Sequence, residues 1–266
     1  MISILFMGRK KVAARCLEYL LGRPDVRVAG VLTDSHLSTS ATSEVARANN
    51  LPLYDYESAT EAVVAGDLSF DLGLSMLFWR KFKGDLLAHP GRGIVNFHPA
   101  PLPGYKGVGG YNLAVLNSLS EWACTAHYVD ASIDTGPIID DIAFPVDPET
   151  ATAQSLERQS QDVLEDLFVR VVERLVTTGQ KLETRPNGAG LYLSRPELES
   201  LKKVDLERDD VDRKIRAFWF PPYDGAYVEV NGQRYTLVNR SILQDLADPG
   251  ASSLFTAPSG GAKGIA

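Results

Sequence analysis

The sequence predicts an α/β fold: a Rossmann-like, mostly parallel sheet with helices on both faces, followed by a small C-terminal β-hairpin subdomain. Two observations predict it. Short apolar segments alternate with longer amphipathic ones from the first residues to about residue 178, which is typical of a doubly wound sheet. Near the C-terminus, two segments of alternating character flank Asn231 and Gly232, a dipeptide preferred in two-residue hairpin turns.

The first elements form a βαβ unit. Residues 2–7 and 26–32 are apolar runs typical of buried strands. Between them, Val12, Cys16 and Leu20 recur every four residues, which predicts a helix over 11–21. The same alternation predicts helices over 43–49 and 59–65, and strands over 51–54, 71–76 and from residue 94.

The second half begins with a segment of helical spacing. A helix is predicted over 111–119, strands over 123–129 and 138–146, and a long amphipathic helix over 152–178. A glycine-rich break follows at 187–190. Opposed charges over 197–212 then predict a solvated helical linker, and the hairpin strands are expected over 227–230 and 235–238.

Bulk composition points to a globular protein of ordinary hydrophobicity. The formal charge of −7 and the pI near 5.2 argue against a nucleic-acid partner, because phosphate binding needs clustered cations. Cys16 and Cys124 are too few for a disulfide framework.

The N-terminal apolar run precedes its basic residues, the reverse of a signal peptide, so we expect a cytoplasmic protein without a membrane span. No metal is expected, since the histidines show no ligand spacing.

Two short motifs suggest acyl-transfer chemistry. Asn96 and His98 end a predicted strand, and Asp134 opens an Asp-Thr-Gly sequence downstream. An amide such as Asn96 can donate a hydrogen bond to an oxyanion. His98 can bond the same oxygen or move a proton. Asp134 would orient His98 and raise its pKa, or would hold a water through which the proton passes.

The surrounding segments resemble the signature of the folate-dependent formyltransferases. They are residues 96–103 (NFHPAPLP), 105–107 (YKG) and 133–139 (IDTGPII). The resemblance covers residues 1–178, with a weaker echo over 216–237, and is strongest to the sugar-nucleotide N-formyltransferases. It implies 10-formyltetrahydrofolate as co-substrate and Asn96, His98 and Asp134 as catalytic residues.

The resemblance also implies a folate-binding site. Its residues are Met76, Leu77, Phe78 and Trp79, whose backbone would bond the pterin, and Asp130 and Ile133, in the loop that would close its other side.

Three groups of residues are expected to bind the other substrate. Arg9, Lys10 and Arg80, with Lys81 and Lys83 nearby, fall at the ends of predicted strands, where an anion would meet them. Tyr105, Lys106 and Gly109 belong to a glycine-rich segment that could offer backbone N–H groups to a phosphate or carboxylate. Trp219 and Tyr223 could stack on a nucleotide base.

The predicted activity is transfer of a formyl group to the primary amine of a nucleotide-linked amino sugar, with O-antigen biosynthesis as its setting. Formylation of methionyl-tRNA, formylation of a phosphoribosyl amine and hydrolysis of 10-formyltetrahydrofolate are alternatives, as is a folate or nucleotide sensor without activity. Residues 1–190 would form the formyltransferase catalytic domain, 191–245 a linker helix and small C-terminal subdomain, and 246–266 a disordered tail. A homodimer formed through the hairpin is a further hypothesis.

Overall fold

The fold is taken from a computed structural model, which describes residues 1–33 and 39–246. In chain order the strands are β1 (Ile2–Gly8), β2 (Val26–Leu32), β3 (Leu53–Tyr54), β4 (Leu72–Met76), β5 (Ile94–His98), β6 (Tyr105–Gly107), β7 (Glu121–Tyr128), β8 (Ile138–Pro145), β9 (Leu191–Leu193), β10 (Tyr227–Val230) and β11 (Gln233–Thr236). The helices are α1 (Lys11–Leu21), α2 (Ala41–Ala48), α3 (Tyr56–Ala65), α4 (Gly84–Ala88), α5 (Gly110–Leu116), α6 (Ala153–Thr178), α7 (Arg195–Ser200), α8 (Val211–Phe218) and α9 (Arg240–Asp245).

A seven-stranded sheet forms the centre of the molecule, in the order β3-β2-β1-β4-β5-β7-β8. The strands β3, β2, β1, β4 and β5 run parallel to one another. β7 pairs antiparallel with β5, and β8 pairs antiparallel with β7 at the edge of the sheet. The predicted mostly parallel sheet is confirmed. The chain leaves β1 toward β2 on one side and returns to β4 on the other, so the strand order reverses there. Ligands bind at the carboxyl ends of strands beside such a reversal.

Helices cover both faces of this sheet, as predicted. One face packs against α1 and α6 in a core that includes Phe6, Phe97 and Phe168. The other face packs against α3 and α4, with Tyr56 and Leu86 buried there. The 26-residue α6 begins with a reciprocal pair of side-chain to backbone bonds between residues 152 and 155, which caps its first turn.

The C-terminal segment confirms the hairpin and corrects the predicted linker. β10 and β11 pair through Asn231 and Gly232, which both have positive φ as the turn requires. The strand expected over 235–238 begins two residues earlier, at Gln233, because a two-residue turn pairs it directly with Val230. The linker is not one helix: α7 ends at Ser200 and turns follow it. Within them Val204 is buried in a further apolar core with Ile215 and Phe218 of α8.

The sequence patterns did not predict a second, two-stranded parallel sheet, in which β6 pairs with β9. Both strands are three residues long and lie next to glycines, so neither shows a period that would predict it. This pairing joins the segment after His98 to the chain beyond the glycine-rich break. Within the described ranges no helix is long and apolar enough to cross a membrane. The predicted tail over 246–266 lies, except for its first residue, outside the described residues.

Candidate active site

Asn96, His98 and Asp134 meet at the carboxyl end of β5. Asn96 and His98 are two residues apart on one strand, so their side chains leave the same face of the sheet. Asp134 comes from the loop between β7 and β8, and its Oδ1 lies 3.6 Å from Nδ1 of His98. The structure therefore brings together the three residues that the motifs suggested.

His98 is buried, and a hydrogen bond at Nε2 fixes its ring. Nε2 lies 2.9 Å from the carbonyl oxygen of Tyr105, and a carbonyl only accepts, so Nε2 carries the proton in the neutral ring. The Nδ1 lone pair then faces Asp134. Burial lowers the pKa of His98 below its ordinary value near 6.5, and the Asp134 carboxylate offsets this only in part. Asp134 therefore acts in the expected direction and raises the pKa of His98, but desolvation outweighs this effect and the net pKa is lowered.

Asp134 is fixed by contacts on both its side chain and its backbone. Its Oδ2 accepts the backbone N–H of Gly107 at 3.0 Å, and Asn187 donates to its carbonyl oxygen at 3.0 Å. Burial by itself raises the pKa of Asp134, but the contacts with His127, His98 and Gly107 outweigh burial and lower it below 3.8. A carboxylate beside Nδ1 stabilises the charge that His98 gains when it accepts a proton.

The proline-rich loop after His98 is held by two hydrogen-bonding side chains of β7. The indole of Trp122 donates to the carbonyl oxygen of Pro99 at 2.9 Å. The Thr125 hydroxyl donates to the carbonyl oxygen of Ala100 at 2.8 Å and accepts the N–H of Leu102 at 3.1 Å. His98 therefore sits on a support fixed by the sheet.

These side chains open onto a cleft of about 360 Å³. Of the residues expected to bind folate, Leu77, Phe78, Trp79 and Ile133 line it. The other two do not: Met76 is fully buried in the core, and Asp130 holds its own loop by accepting bonds from Ser132 and Thr135. Leu77 and Asp134, which both line the cleft, have left-handed backbones, an uncommon conformation for non-glycine residues that clusters at functional sites.

The residues expected to bind the second substrate fall into three groups: some line the cleft, some line a smaller cavity beside it, and some line neither. Lys10 and Arg80 line the cleft, but Lys10 pairs with Glu157 at 2.5 Å and Arg80 with Glu57 at 2.6 Å. Tyr105, Lys106 and Gly109 line a smaller adjoining cavity of about 90 Å³. Arg9, Trp219 and Tyr223 line neither space.

The structure gives physical reasons for several of these placements. Trp219 packs against the core shared by α5 and α8, and Tyr223 is 69% exposed. In the glycine-rich segment the Gly107 N–H is given to Asp134 rather than left for a ligand, and the Lys106 ammonium donates to the carbonyl oxygen of Gly188. That segment therefore helps to build the site.

Sequence reasoning missed four residues that the fold brings to the site: Ser75, His127, Tyr192 and Arg195. Ser75 and His127 bond the two ends of the Asn96 amide, while Tyr192 and Arg195 line the cleft from the far side of the β6–β9 pair. His127 lies within the strand predicted over 123–129, where no local pattern marks it as a site residue. The register of the β5–β7 pair is the feature that could have revealed it, because antiparallel pairing places residue 127 opposite residue 96.

The site combines a hydrogen-bond donor, a neutral base and a carboxylate, which together can support attack on a carbonyl carbon. Asn96 can donate an N–H to the oxygen that becomes negative, and Nδ1 of His98 can take a proton from the attacking atom. Among the residues of the two described ranges, no group of three or more His, Cys, Asp or Glu side chains is placed to hold a metal ion.

Comparison with known proteins identifies the family. The formyl transferase family model matches residues 37–172, which is half of the chain and includes all three motif residues. The chain belongs to the formyl transferase family. It is thus an enzyme of one-carbon group transfer, and the family predicted from the motifs is confirmed.

Curated relatives and solved structures differ in acceptor. The methionyl-tRNA formyltransferase of Chloroflexus aurantiacus is 27% identical over 259 residues, covering 91% of this chain and 80% of its own. An N-formyltransferase from Helicobacter canadensis, solved with folinic acid and dTDP-3-aminofucose, is 25% identical with a TM-score of 0.71, covering 88% of this chain and 86% of its own. A 4-N formyltransferase from Francisella tularensis, 20% identical, shares the fold with a TM-score of 0.75 over 90% of this chain and 97% of its own.

Proposed function

We propose that this formyl transferase moves a formyl group from 10-formyltetrahydrofolate to the primary amine of a nucleotide-linked amino sugar, giving an N-formyl sugar. One observation carries the choice of acceptor. Lys81 and Arg195 line the cleft, are exposed, and form no ion pair or hydrogen bond with the residues that the structure describes. Two uncommitted cations beside the site suit the diphosphate of a nucleotide sugar.

The proposed reaction uses the site residues in sequence. The amine nitrogen attacks the formyl carbon, and the carbonyl oxygen becomes an oxyanion that accepts an N–H from Asn96. Nδ1 of His98 takes a proton from the attacking nitrogen, and Asp134 stabilises the imidazolium. The C–N bond to the folate then breaks as the proton passes to the leaving nitrogen, which returns His98 to its neutral form.

The apolar residues that line one part of the cleft would bind the folate. Leu77, Phe78 and Trp79 follow β4, and Ile133 faces the same space from the Asp134 loop. A pterin is flat and carries amide-like edges, so it needs apolar faces and backbone partners. The H. canadensis relative, whose structure contains folinic acid, supports the same co-substrate here.

Methionyl-tRNA is the second candidate acceptor, because relatives named for that activity match across most of this chain. The charge balance weighs against it. A tRNA acceptor calls for a broad basic surface, whereas this chain carries a formal charge of −7. Water is a third acceptor, and its use would make the enzyme a 10-formyltetrahydrofolate hydrolase.

The test is an acceptor panel. The enzyme is incubated with 10-formyltetrahydrofolate and, separately, with nucleotide-linked amino sugars, methionyl-tRNA and buffer, and products are identified by mass spectrometry. A formyl adduct on one sugar, absent with the His98→Ala variant, is the expected result. An adduct on tRNA alone, or folate turnover without any adduct, would replace the proposal with the corresponding alternative.

We further propose that residues 1–190 carry the transfer chemistry and that 191–245 shape the acceptor side, since Tyr192 and Arg195 reach the cleft from that segment. A cytoplasmic location, a role in O-antigen biosynthesis and a dimer formed through the β10–β11 hairpin remain predictions.

A further inference from the structure

Ser75 is a buried hydroxyl in an otherwise apolar strand. It lies in β4 between Leu74 and Met76, and its side chain is fully shielded from solvent. Burying a hydroxyl is costly unless it forms a hydrogen bond. Its Oγ lies 2.8 Å from Oδ1 of Asn96, directly across the β4–β5 pair. The carbonyl end of the Asn96 amide is therefore the partner of this buried group.

His127 holds the other end of the same amide. Its Nδ1 lies 2.8 Å from the carbonyl oxygen of Tyr128, which can only accept, so Nδ1 carries the proton of the neutral ring. Nε2 then has a free lone pair. It lies 3.1 Å from Nδ2 of Asn96, within hydrogen-bond distance, and 3.6 Å from Oδ1 of Asp134, beyond that distance. The neutral ring thus accepts one hydrogen from the amide nitrogen.

These two contacts distinguish the two orientations of the amide. If the Asn96 side chain turned over, its oxygen would meet the lone pair on Nε2 of His127, and the bond from Ser75 to that oxygen would be lost. In the observed orientation the second hydrogen on Nδ2 has no acceptor among the residues described, and Asn96 lines the cleft. An N–H group is therefore available at the site.

We propose that Ser75 and His127 are positioning residues that together fix the orientation of the Asn96 amide, so that an N–H and not a carbonyl oxygen meets the oxyanion formed in the reaction. This inference rests on the proposed transfer chemistry and adds two residues to it. Neither residue touches the substrate in this scheme, because each acts through Asn96.

The first test is Ser75→Ala, with Ser160→Ala as the matched control. Ser160 is equally buried but lies on α6, away from the cleft. We expect kcat to fall about tenfold in Ser75→Ala with KM for both substrates within about twofold, as for an interaction made only in the transition state. Ser160→Ala should keep the wild-type kcat. An unchanged kcat in Ser75→Ala would overturn the proposal.

The second test separates positioning from general damage to the fold. In an Asn96→Ala background, Ser75→Ala should cause no further loss of kcat, because the amide that it orients is gone. A serine that only supported the strand would cost the same factor in both backgrounds, and that result would overturn the proposal.

His127 allows a matched pair of its own. His127→Leu removes the acceptor and should lower kcat about tenfold, whereas the Oε1 of Gln in His127→Gln can replace Nε2 as acceptor and should restore most of the rate. Equal losses in the two variants would remove His127 from the scheme.

A readout without catalysis keeps the inference distinct from the proposed function. The Asn96 side-chain amide gives NMR signals that Asn96→Ala identifies by their loss. Ser75→Ala should speed their exchange with solvent, and Ser160→Ala should not. Unchanged exchange in Ser75→Ala would overturn the inference. Failure of every acceptor in the panel would instead sink the proposed function.

Discussion

At the scale of single residues, the site depends on two opposing effects on His98. Burial favours the neutral ring, and the nearby Asp134 carboxylate favours the charged one. Burial is the larger effect, so the resting enzyme holds a neutral imidazole whose free Nδ1 can accept a proton. The carboxylate lies 3.6 Å away, where it can stabilise the imidazolium once it forms.

This balance predicts the titration of His98. In the wild type, NMR should give a His98 pKa below 6.5, because burial penalises the charged ring. Among the groups that act on the His98 ring, only Asp134 is negatively charged and so stabilises the imidazolium by its charge. Asp134→Asn removes that charge, and the pKa of His98 should fall further. His98→Ala assigns the signal. A His98 pKa above 6.5, or a rise in Asp134→Asn, would contradict this account.

Removal of either proposed catalytic side chain should slow transfer without unfolding the chain. Loss of the Asn96 amide should lower kcat roughly 10²- to 10³-fold. Loss of the His98 imidazole should lower it roughly 10²- to 10⁴-fold. His89→Ala is the control, because His89 packs on Phe70 at the end of α4 and lines no part of the cleft. Circular dichroism should match the wild type in all three variants, and wild-type rates in both site variants would reject the mechanism.

At the scale of elements, the site is held by segments that lie outside it. β6 supplies the Tyr105 carbonyl to His98 and the Gly107 N–H to Asp134, and β9 holds β6 in place. Asn187, just before β9, bonds the backbone at Asp134 and Gly136. The segment after the long helix α6 is thus part of the support of the proposed catalytic residues.

Leu191 provides a test of this support. Its N–H donates to the carbonyl oxygen of Gly104 at 3.0 Å, whereas its side chain is half exposed. Leu191→Pro removes the donor and should weaken the β6–β9 pairing, so kcat should fall at least about tenfold. Leu191→Ala keeps the N–H and should retain most activity. Equal rates in the two variants would show that the pairing does not support the site.

The Asp-Thr-Gly motif predicts a stability effect. A Cβ at Gly136 would lie 1.8 Å from the carbonyl oxygen of Tyr128, which belongs to the sheet and cannot move freely. Gly136→Ala should therefore lower the free energy of unfolding by about 1–3 kcal/mol or more and displace Asp134. Gly91→Ala, where nothing lies within 4 Å, should change little. Chemical denaturation compares them, and equal midpoints would contradict the predicted clash.

At the scale of the whole molecule, an acidic protein presents a cationic cleft. The formal charge is −7, yet the cleft is lined by Lys10, Arg80, Lys81 and Arg195, of which the first two are neutralised by glutamates. This arrangement repels polyanions in general while it leaves local attraction for one small anionic group.

The charge distribution predicts which substitutions weaken the binding of an anionic acceptor. Lys81→Ala and Arg195→Ala should each raise the acceptor KM roughly tenfold, as expected when a charged hydrogen-bond partner is lost, with kcat little changed. Added salt should raise KM in the wild type and less in these variants. Arg208→Ala, a highly exposed cation in the turns after α7, is the control. A normal acceptor KM in both cleft variants would remove the cations from binding.

Local sequence patterns were enough to predict the parallel sheet, the long helix, the hairpin turn and the three motif residues. Each of these depends on local information: alternation along a strand, spacing on a helix face, or a short run such as the one that ends at His98. Asn-Gly at the hairpin needed no other part of the chain, because positive φ is a property of that turn.

The surroundings of those residues, in contrast, follow from the tertiary fold. Pairing of β5 with β7 brings His127 to Asn96, and pairing of β6 with β9 brings Arg195 to the cleft. Burial of His98 sets the net direction of its pKa shift, whereas the motif alone indicates only the opposing effect of Asp134. The physical reason is that register, desolvation and charge balance depend on groups far apart in the chain, which no local pattern records.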